Sequence, residues 1–243
     1  MRSTGAGRTI FAVILVVVGI QGLVMHDFGA IWQPVPQVPA RHALIYGCVL
    51  VSLIGGIGLL WRSRPAAIGL AVLLLSWFTA FRFPVIAHAP GSAVSWEGGA
   101  ETLVLVAGAW APCARATHSR RIAQTLYGLA LIPFGVAHFV YLKQTAALVP
   151  HWLPAPEVWV HVTGAAYIAA GLAITSSIRA RIAAALSALQ MGLFTVLVWA
   201  PMLAAGSRDP ATWNEAILSA ALTAAGWAVA SQMDARHVQP AQK

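Results

Sequence analysis

Long apolar segments, separated by short polar or proline-rich turns, dominate the chain. Residues 10–25 are broken only by Gln21, and residues 66–80 and 182–203 contain no charge. A helix needs about 20 apolar residues to cross the hydrocarbon core of a bilayer. We therefore predict an all-α, polytopic membrane bundle of about eight transmembrane helices. The predicted spans are 10–28, 43–61, 66–86, 99–113, 122–142, 158–174, 182–203 and 213–232.

Composition supports the same class of protein. Hydrophobic residues make up 59% of the chain and charged residues only 9%, whereas a soluble domain has about 25% charged residues. Too few polar groups remain to cover a water-facing surface, so we expect the lipid bilayer to be the main partner. The net charge of +8 does not indicate nucleic acid, because the basic residues form short clusters between apolar segments.

The distribution of charge along the chain predicts an orientation. Of the 15 Lys and Arg residues, four belong to one predicted side: Arg41, Arg82, Lys143 and Arg208. The remaining basic residues belong to the other side, and all acids except Asp234 lie on the side with few basic residues. Cytoplasmic loops carry the excess of Lys and Arg. We therefore predict a multi-pass protein of the bacterial inner membrane with both termini in the cytoplasm.

The N-terminal segment resembles a signal peptide, because Arg2 and Arg8 precede an apolar run. No cleavage site of small residues follows, and the run continues towards Phe28. A cleavable signal peptide ends at such a site. We predict a first helix that is retained.

Two halves of the chain share a pattern of residues. A shift of 117 residues relates Arg62 to Arg179, Arg64 to Arg181, Pro84 to Pro201, Trp96 to Trp213 and Trp110 to Trp227. In the first helix a shift of 112 relates Arg8 to Arg120 and His26 to His138. An even number of helices in each copy keeps both copies in one orientation. We predict two parallel four-helix repeats, 1–116 and 117–243, around an axis along the membrane normal.

A group of ionisable residues falls at the outer helix ends of the first repeat. Its members are Asp27, Arg82, Glu97 and Glu101. Arg82 lies between Phe81 and Phe83, and an unpaired charge in hydrocarbon is costly. We predict that Arg82 pairs with Glu101, or otherwise with Asp27. The second repeat has Phe139, Trp199, Asn214 and Leu218 at the equivalent positions. Their joint loss indicates one network, which is either a binding site or a structural salt bridge.

Histidines are the second set of candidates. His26, His138 and His161 lie on the predicted outer side, and His138 and His161 could meet across one turn. Neutral imidazole ligates haem iron or copper, but it also serves as a polar anchor at helix ends. We predict no metal site, and an outer binding pocket drawn from a set of seven residues: His26, Asp27, Arg82, Glu97, Glu101, His138 and His161. Cys48 and Cys113 should stay reduced and distant, because they lie near opposite faces.

One stretch resembles the DoxX-like membrane proteins. The matching residues are Gly135-Val-Ala-His-Phe139, Val149-Pro-His-Trp-Leu-Pro154, Gly164 and Ala170-Gly-Leu172, with a weaker outline in His26-Asp-Phe28 and Pro36 to Pro39. Members are four-helix units with cytoplasmic termini. The resemblance implies redox-linked work, as in a small subunit of thiosulfate:quinone oxidoreductase, an anchor for a thiol-oxidant defence complex, or the MauE maturation proteins. Tyr167 stands near a position that is often acidic in the family.

These observations leave three functions open. The first is an accessory subunit of a quinone-linked redox system with a redox-enzyme partner, in which Arg82 or a histidine binds a quinone; haem is a second possible cofactor. The second is a carrier or binder of a small solute. The third is a non-catalytic anchor or maturation factor for a periplasmic enzyme. We also expect Gln21, Gln190 and Thr195 to form hydrogen bonds between helices.

Overall fold

A computed structural model describes residues 3–33, 35 and 37–233 of the 243-residue chain. In this part the chain forms helices and no strands. Arg2, Asp234 and the C-terminal basic residues, which contributed to the predicted orientation, lie outside the described residues. Eight long helices follow one another within the described ranges: α1 Ser3–Met25, α2 Arg41–Leu60, α3 Arg64–His88, α4 Ala93–Trp110, α5 Thr117–Val140, α6 Pro156–Thr175, α7 Ala180–Ala204 and α8 Pro210–Gln232.

Six of these helices, namely α1, α2, α3, α5, α6 and α7, are long and apolar enough to cross a membrane. Their outward faces carry large exposed hydrophobic side chains. In α1 these residues recur every three or four positions, as in Ile10, Val13, Val17, Ile20 and Val24. Such a stripe has no favourable partner in water, but lipid covers it well. The fold is therefore that of a helical membrane protein.

Helices α4 and α8 occupy the centre of the bundle. Helix α4 packs against α3, α5 and α8, and α8 packs against α1, α4 and α7. The two central helices approach closely, since a Cβ atom added to Gly108 would lie 2.5 Å from the Cβ atom of Ala225. Neighbouring helices cover them in place of lipid. This explains why both can be less apolar than the six outer helices.

Two short π-helical segments interrupt α3 and α7 at corresponding places. They span Phe78–Arg82 and Thr195–Trp199, which are 117 residues apart. Pro84 and Pro201 follow them. A proline ring clashes with the carbonyl group four residues earlier, and a wider turn relieves that clash. The sequence analysis did not predict either segment.

Several helix boundaries differ from the prediction: the first helix begins at Ser3 instead of 10 and the fifth at Thr117 instead of 122, and two further differences affect the site. The first helix ends at Met25 and not near 28, because His26 adopts a left-handed conformation (φ 51°) and reverses the chain. This reversal buries the short 3₁₀-helix Ala30–Trp32 inside the bundle. The fourth helix begins at Ala93 and not near 99, so its first turns include Glu97. Its polar start is tolerated because the side chains face the bundle interior.

Aromatic residues fill the interior of the first half. The Trp32 ring lies 5.0 Å from that of Trp77 and its indole N–H donates to the Ser52 hydroxyl at 2.8 Å. Phe28 also contacts Trp77, at 5.8 Å between ring centroids. The 3₁₀-helix that carries Trp32 therefore covers the interior of the first half at the end of the bundle where α1 ends and α4 begins.

Glycines of α5 and α6 allow these two helices to pack closely. A Cβ atom on Gly135 would lie 2.5 Å from the Gly164 carbonyl oxygen, and one on Gly171 would lie 2.6 Å from the Gly128 carbonyl oxygen. Small residues permit this approach between membrane helices. Cys48 and Cys113 are both buried and free, so the prediction that they form no disulfide is confirmed.

Candidate functional site

A cavity of about 310 Å³ opens among α4 to α8. It lies at the end of the bundle where α4 and α8 begin and where α5 and α7 end, which we call the acidic end. Its wall contains polar and aromatic groups: Glu97, Glu101, Phe134, His138, Tyr141, Thr145, Tyr167, Phe194, Trp199, Glu215 and Ser219. In the first half Trp77, which stands 117 residues before Phe194, packs against the rings of Phe28, Trp32 and Phe81.

Three carboxylates converge on this cavity. Glu97 and Glu101 are one turn apart on α4 and therefore share a face, and Glu215 comes from the second turn of α8. Among the described residues that line the cavity, none is a lysine or arginine. No basic side chain in the described wall is therefore available to pair with these carboxyl groups.

His138 and the aromatic residues form the opposite wall. The Nδ1 atom of His138 lies 2.7 Å from the Phe134 carbonyl oxygen. A carbonyl accepts only, so Nδ1 carries the proton and donates. In the neutral imidazole, Nε2 is then a hydrogen-bond acceptor. Tyr167 lies edge-on to His138 at 5.4 Å, and Trp199 packs against Phe194 at 6.1 Å.

Arg82 does not belong to this cavity. It is 7% exposed and donates to the backbone carbonyl of Gln33 and, at 3.3 Å, to the Thr102 hydroxyl. Within the described residues, the one ion pair joins Arg41 to Asp27 at 2.6 Å. The prediction that Arg82 pairs with Glu101 or Asp27 is therefore wrong. The loop after α1 provides a nearer acceptor, which no pattern in the sequence revealed.

The other predicted site residues separate into two groups. Glu97, Glu101 and His138 line the cavity together. His26 and His161 are exposed and lie outside its wall, while Asp27 is held by Arg41. His161 hydrogen-bonds the Glu157 carbonyl at 2.6 Å within α6 and packs against Phe139 of α5. Its contacts are therefore structural ones near the start of α6. In the described part of the chain, no cluster of His, Cys, Asp and Glu could hold a metal ion.

A polar chain beside the cavity joins the two halves. Gln21 donates to Asn214 at 2.6 Å, and Asn214 donates to Gln33 at 3.1 Å. Gln33 is the residue whose carbonyl binds Arg82. The expected interhelical hydrogen bonds are confirmed for Gln21, for Gln190, which donates to the Thr163 carbonyl, and for Thr195, which bonds Ser219. Gln33 and Glu215 were not predicted as site residues from the sequence. Asn214 was noted only as the uncharged residue at the position equivalent to Glu97 in the second repeat.

These features define a helical membrane protein with an acidic, aromatic cavity at one end of its bundle. A family model described as "Domain of unknown function (DUF8561)" matches residues 127–236, which covers most of the second half. Neither the curated proteins nor the solved structures gave a match.

Proposed function

We propose that this protein binds a small organic cation, such as an amine, in the cavity at the acidic end, and acts as a carrier or binder of that solute. The observation that carries this proposal is the convergence of Glu97, Glu101 and Glu215 on a cavity whose described wall holds no Lys or Arg. A desolvated carboxyl group either takes up a proton or needs a positive partner. A cationic solute supplies it.

The size and walls of the cavity favour an organic cation over a metal ion. Its volume of about 310 Å³ is at the lower end of ligand pockets, which span about 300 to 1,000 Å³. The described residues form no group of His, Cys, Asp and Glu side chains that could hold a metal ion. Phe134, Phe194 and Trp199 offer aromatic faces, which attract ammonium groups.

His138 also favours an ammonium group. Because its Nδ1 proton is donated to the Phe134 carbonyl, the neutral ring offers an acceptor at Nε2. An N–H of an amine would donate to that atom. A quinone carbonyl is itself an acceptor and would find no donor there.

We further propose that all eight helices cross the membrane as two parallel repeats with cytoplasmic termini. The π-helical segments 117 residues apart support this arrangement, as do the left-handed residues Arg62 and Arg179 at the same spacing. In that arrangement the acidic cavity faces outward and the clusters of arginine face the cytoplasm. The inner bacterial membrane remains our proposed location.

A quinone-linked accessory subunit of the DoxX-like kind is the second candidate. The observation in its favour is Tyr167, whose buried side chain lies in the cavity wall among apolar residues such as Phe134 and Leu222. Its hydroxyl could donate to a quinone carbonyl, and Glu101 could exchange a proton. His26, Asp27 and Arg82 have no part in this version, because they lie outside the cavity.

The test uses the full chain purified in detergent. Choline and ethanolamine are titrated against dimethylbutanol, the uncharged carbon isostere of choline, with thermal stabilisation and calorimetry as readouts. We expect the cations to bind and the isostere not to bind. Glu101→Gln should weaken cation binding about tenfold or more, since a desolvated charge-assisted contact contributes about 1.5 to 3 kcal/mol.

Glu157→Gln is the matched control, because Glu157 is exposed at the same end of the bundle and outside the cavity wall. If this variant loses as much affinity as Glu101→Gln, general surface charge attracts the cation and the cavity does not. If the isostere binds as well as choline, the cationic assignment is wrong. Co-purified quinone, detected by mass spectrometry and released by Tyr167→Phe, would favour the second candidate.

A further inference from the structure

A second concave surface lies at the opposite end of the bundle, where α5 and α7 begin. It is a groove of about 910 Å³, bounded by α5, α7 and the last turn of α8. Four arginines line it, namely Arg120, Arg121, Arg179 and Arg181. We call this surface the arginine groove. It is separate from the acidic cavity and has no part in the function proposed above.

The backbone adds to the positive charge of the groove. Helices α5 and α7 both begin there, and neither has an acid in its first turn or a side chain that caps its N-terminus. The first N–H groups of a helix have no partner within the helix, and the helix dipole makes this end positive. Two such ends beside four guanidinium groups favour an anion.

The described residues offer these arginines no carboxylate. Arg121 donates to the Thr175 carbonyl at 2.9 Å and so caps α6. The described residues contain one ion pair, between Arg41 and Asp27, and it lies at the opposite end of the bundle from the groove. Arg120, Arg179 and Arg181 thus lack an acidic partner among the residues that the structure describes.

The first half repeats the arrangement in a smaller form. Arg8, Arg62 and Arg64 correspond to Arg120, Arg179 and Arg181, and line a pocket of about 70 Å³. There the Nε atom of Arg8 is buried without a hydrogen-bond partner. A buried donor without an acceptor costs about 1 to 3 kcal/mol. In the first half, this arrangement of arginines therefore leaves one buried N–H group without an acceptor.

We propose that the arginine groove binds the phosphate group of an anionic phospholipid. Guanidinium groups match phosphate oxygens in a bidentate geometry. The groove has room for a headgroup, whereas the first-half pocket holds at most a small anion. Ile182 lines the groove and is 56% exposed. An apolar side chain exposed beside arginines suits a headgroup whose acyl chain continues along the helix, and it would gain nothing from free phosphate.

The experiment uses the full chain in detergent and compares phosphatidylglycerol with phosphatidylcholine, read by native mass spectrometry and thermal stabilisation. Inorganic phosphate is a separate arm. We expect phosphatidylglycerol to bind more tightly than phosphatidylcholine. Arg120→Gln with Arg181→Gln should weaken phosphatidylglycerol binding about thirtyfold, because each basic residue near an anionic headgroup contributes a factor of about five. The control variant, Lys143→Gln with Arg208→Gln, removes the same amount of positive charge at the acidic end. It should change the affinity for phosphatidylglycerol little.

Arg120→Lys with Arg181→Lys is the second variant, which keeps the charge and the fold but removes the bidentate fit. It should weaken phosphatidylglycerol binding measurably, and a fully retained affinity would overturn a specific phosphate contact. If inorganic phosphate stabilises the protein as much as phosphatidylglycerol does, the source is a soluble phosphate and the lipid assignment is wrong. If neither binds, or if the control variant loses as much affinity, the groove is no anion site.

Discussion

Gln21 in α1 donates a 2.6 Å hydrogen bond to Asn214 in α8, across 193 residues of sequence. The bond joins the first and last helices of the described chain. Asn214 continues the contact to Gln33, whose backbone carbonyl accepts from Arg82. Side chains from three segments are therefore linked through Gln33, the residue whose backbone carbonyl accepts from Arg82.

Removal of Asn214 should destabilise both halves together. Asn214→Leu leaves the amide groups of Gln21 and Gln33 without their partner, and an unsatisfied buried polar group costs about 1 to 3 kcal/mol. We expect a lower thermal midpoint in detergent, and a double change of Gln21→Leu with Asn214→Leu should recover part of the loss. Gln144→Ala, at an exposed position, is the control. Strict additivity of the two leucine changes would contradict a direct contact.

Arg82 should stabilise the fold through its hydrogen bonds to two uncharged acceptors. Arg82→Ala leaves the Gln33 carbonyl and the Thr102 hydroxyl without the guanidinium, at a cost of about 1 to 3 kcal/mol. Arg82→Lys should recover only part, because one ammonium cannot reproduce the planar fork. The thermal midpoint is the measurement. Arg208→Ala removes an exposed arginine at the same end of the bundle and should leave it unchanged.

Gly135 and Gly47 should respond in opposite ways to alanine. A Cβ atom at Gly135 would lie 2.5 Å from the Gly164 carbonyl oxygen and must push α6 away, and overpacking costs about 1 to 3 kcal/mol. Nothing lies within 4 Å of a Cβ atom at Gly47, so alanine there should be neutral or stabilising through its helix propensity. Equal thermal midpoints for the two variants would mean that α5 and α6 are not in close contact.

Trp32 should contribute far more stability than Trp152. Trp32 is 2% exposed and fills the acidic end of the first half, whereas Trp152 is 70% exposed in the corresponding connection of the second half. Trp32→Ala leaves a large void, and such changes cost about 3 to 5 kcal/mol. Trp152→Ala should cost little. Denaturation midpoints of both variants test this difference, and similar losses would place Trp32 at the surface.

Asp209 should stabilise the start of α8 in a pH-dependent way. Hydrogen bonds from the Ala211 N–H and from Thr212 lower the pKa of its exposed carboxyl group. The folded pKa lies below the unfolded value of about 3.9, so this stabilisation is complete above that value and is lost as the pH falls through the folded pKa. Asp209→Ala should lower the thermal midpoint at neutral pH, and the difference from wild type should shrink in acid. Asp209→Asn keeps an acceptor but does not titrate, so it should lose less stability than Asp209→Ala at neutral pH, and its difference from wild type should also shrink in acid.

The all-helical membrane class could be predicted from sequence, because contact with lipid requires apolar side chains along most of each outer helix. Uninterrupted apolar segments and the regular position of prolines located all eight long helices of the described part. The harder boundaries were those of the first and fourth helices, where polar residues face the bundle interior. Hydropathy alone cannot separate a polar residue that faces protein from one that faces water.

The candidate site was less predictable, because it depends on packing between distant segments. Glu97, Glu101 and His138 were predicted as members of one pocket and line one cavity, whereas Glu215 was assigned only by its charge. Arg82 was expected to pair with an acid, since backbone acceptors such as the Gln33 carbonyl leave no mark in the sequence. Trp32 is buried whereas Trp152, in the corresponding connection, is 70% exposed, and this difference depends on the path of the loop.

The central position of α4 and α8 also has a consequence for how the protein is made. Both helices depend on protein neighbours for their cover, so the insertion machinery should release them into lipid poorly when each is presented alone. Helix α8 is synthesised after α1 to α7, so the first half cannot complete its contacts to Asn214 until that helix has been made. Assembly of this bundle should therefore be completed only after α8 is inserted. A glycosylation-mapping assay with α8 alone and with α1 to α7 present would measure that dependence, and efficient solitary insertion would contradict it.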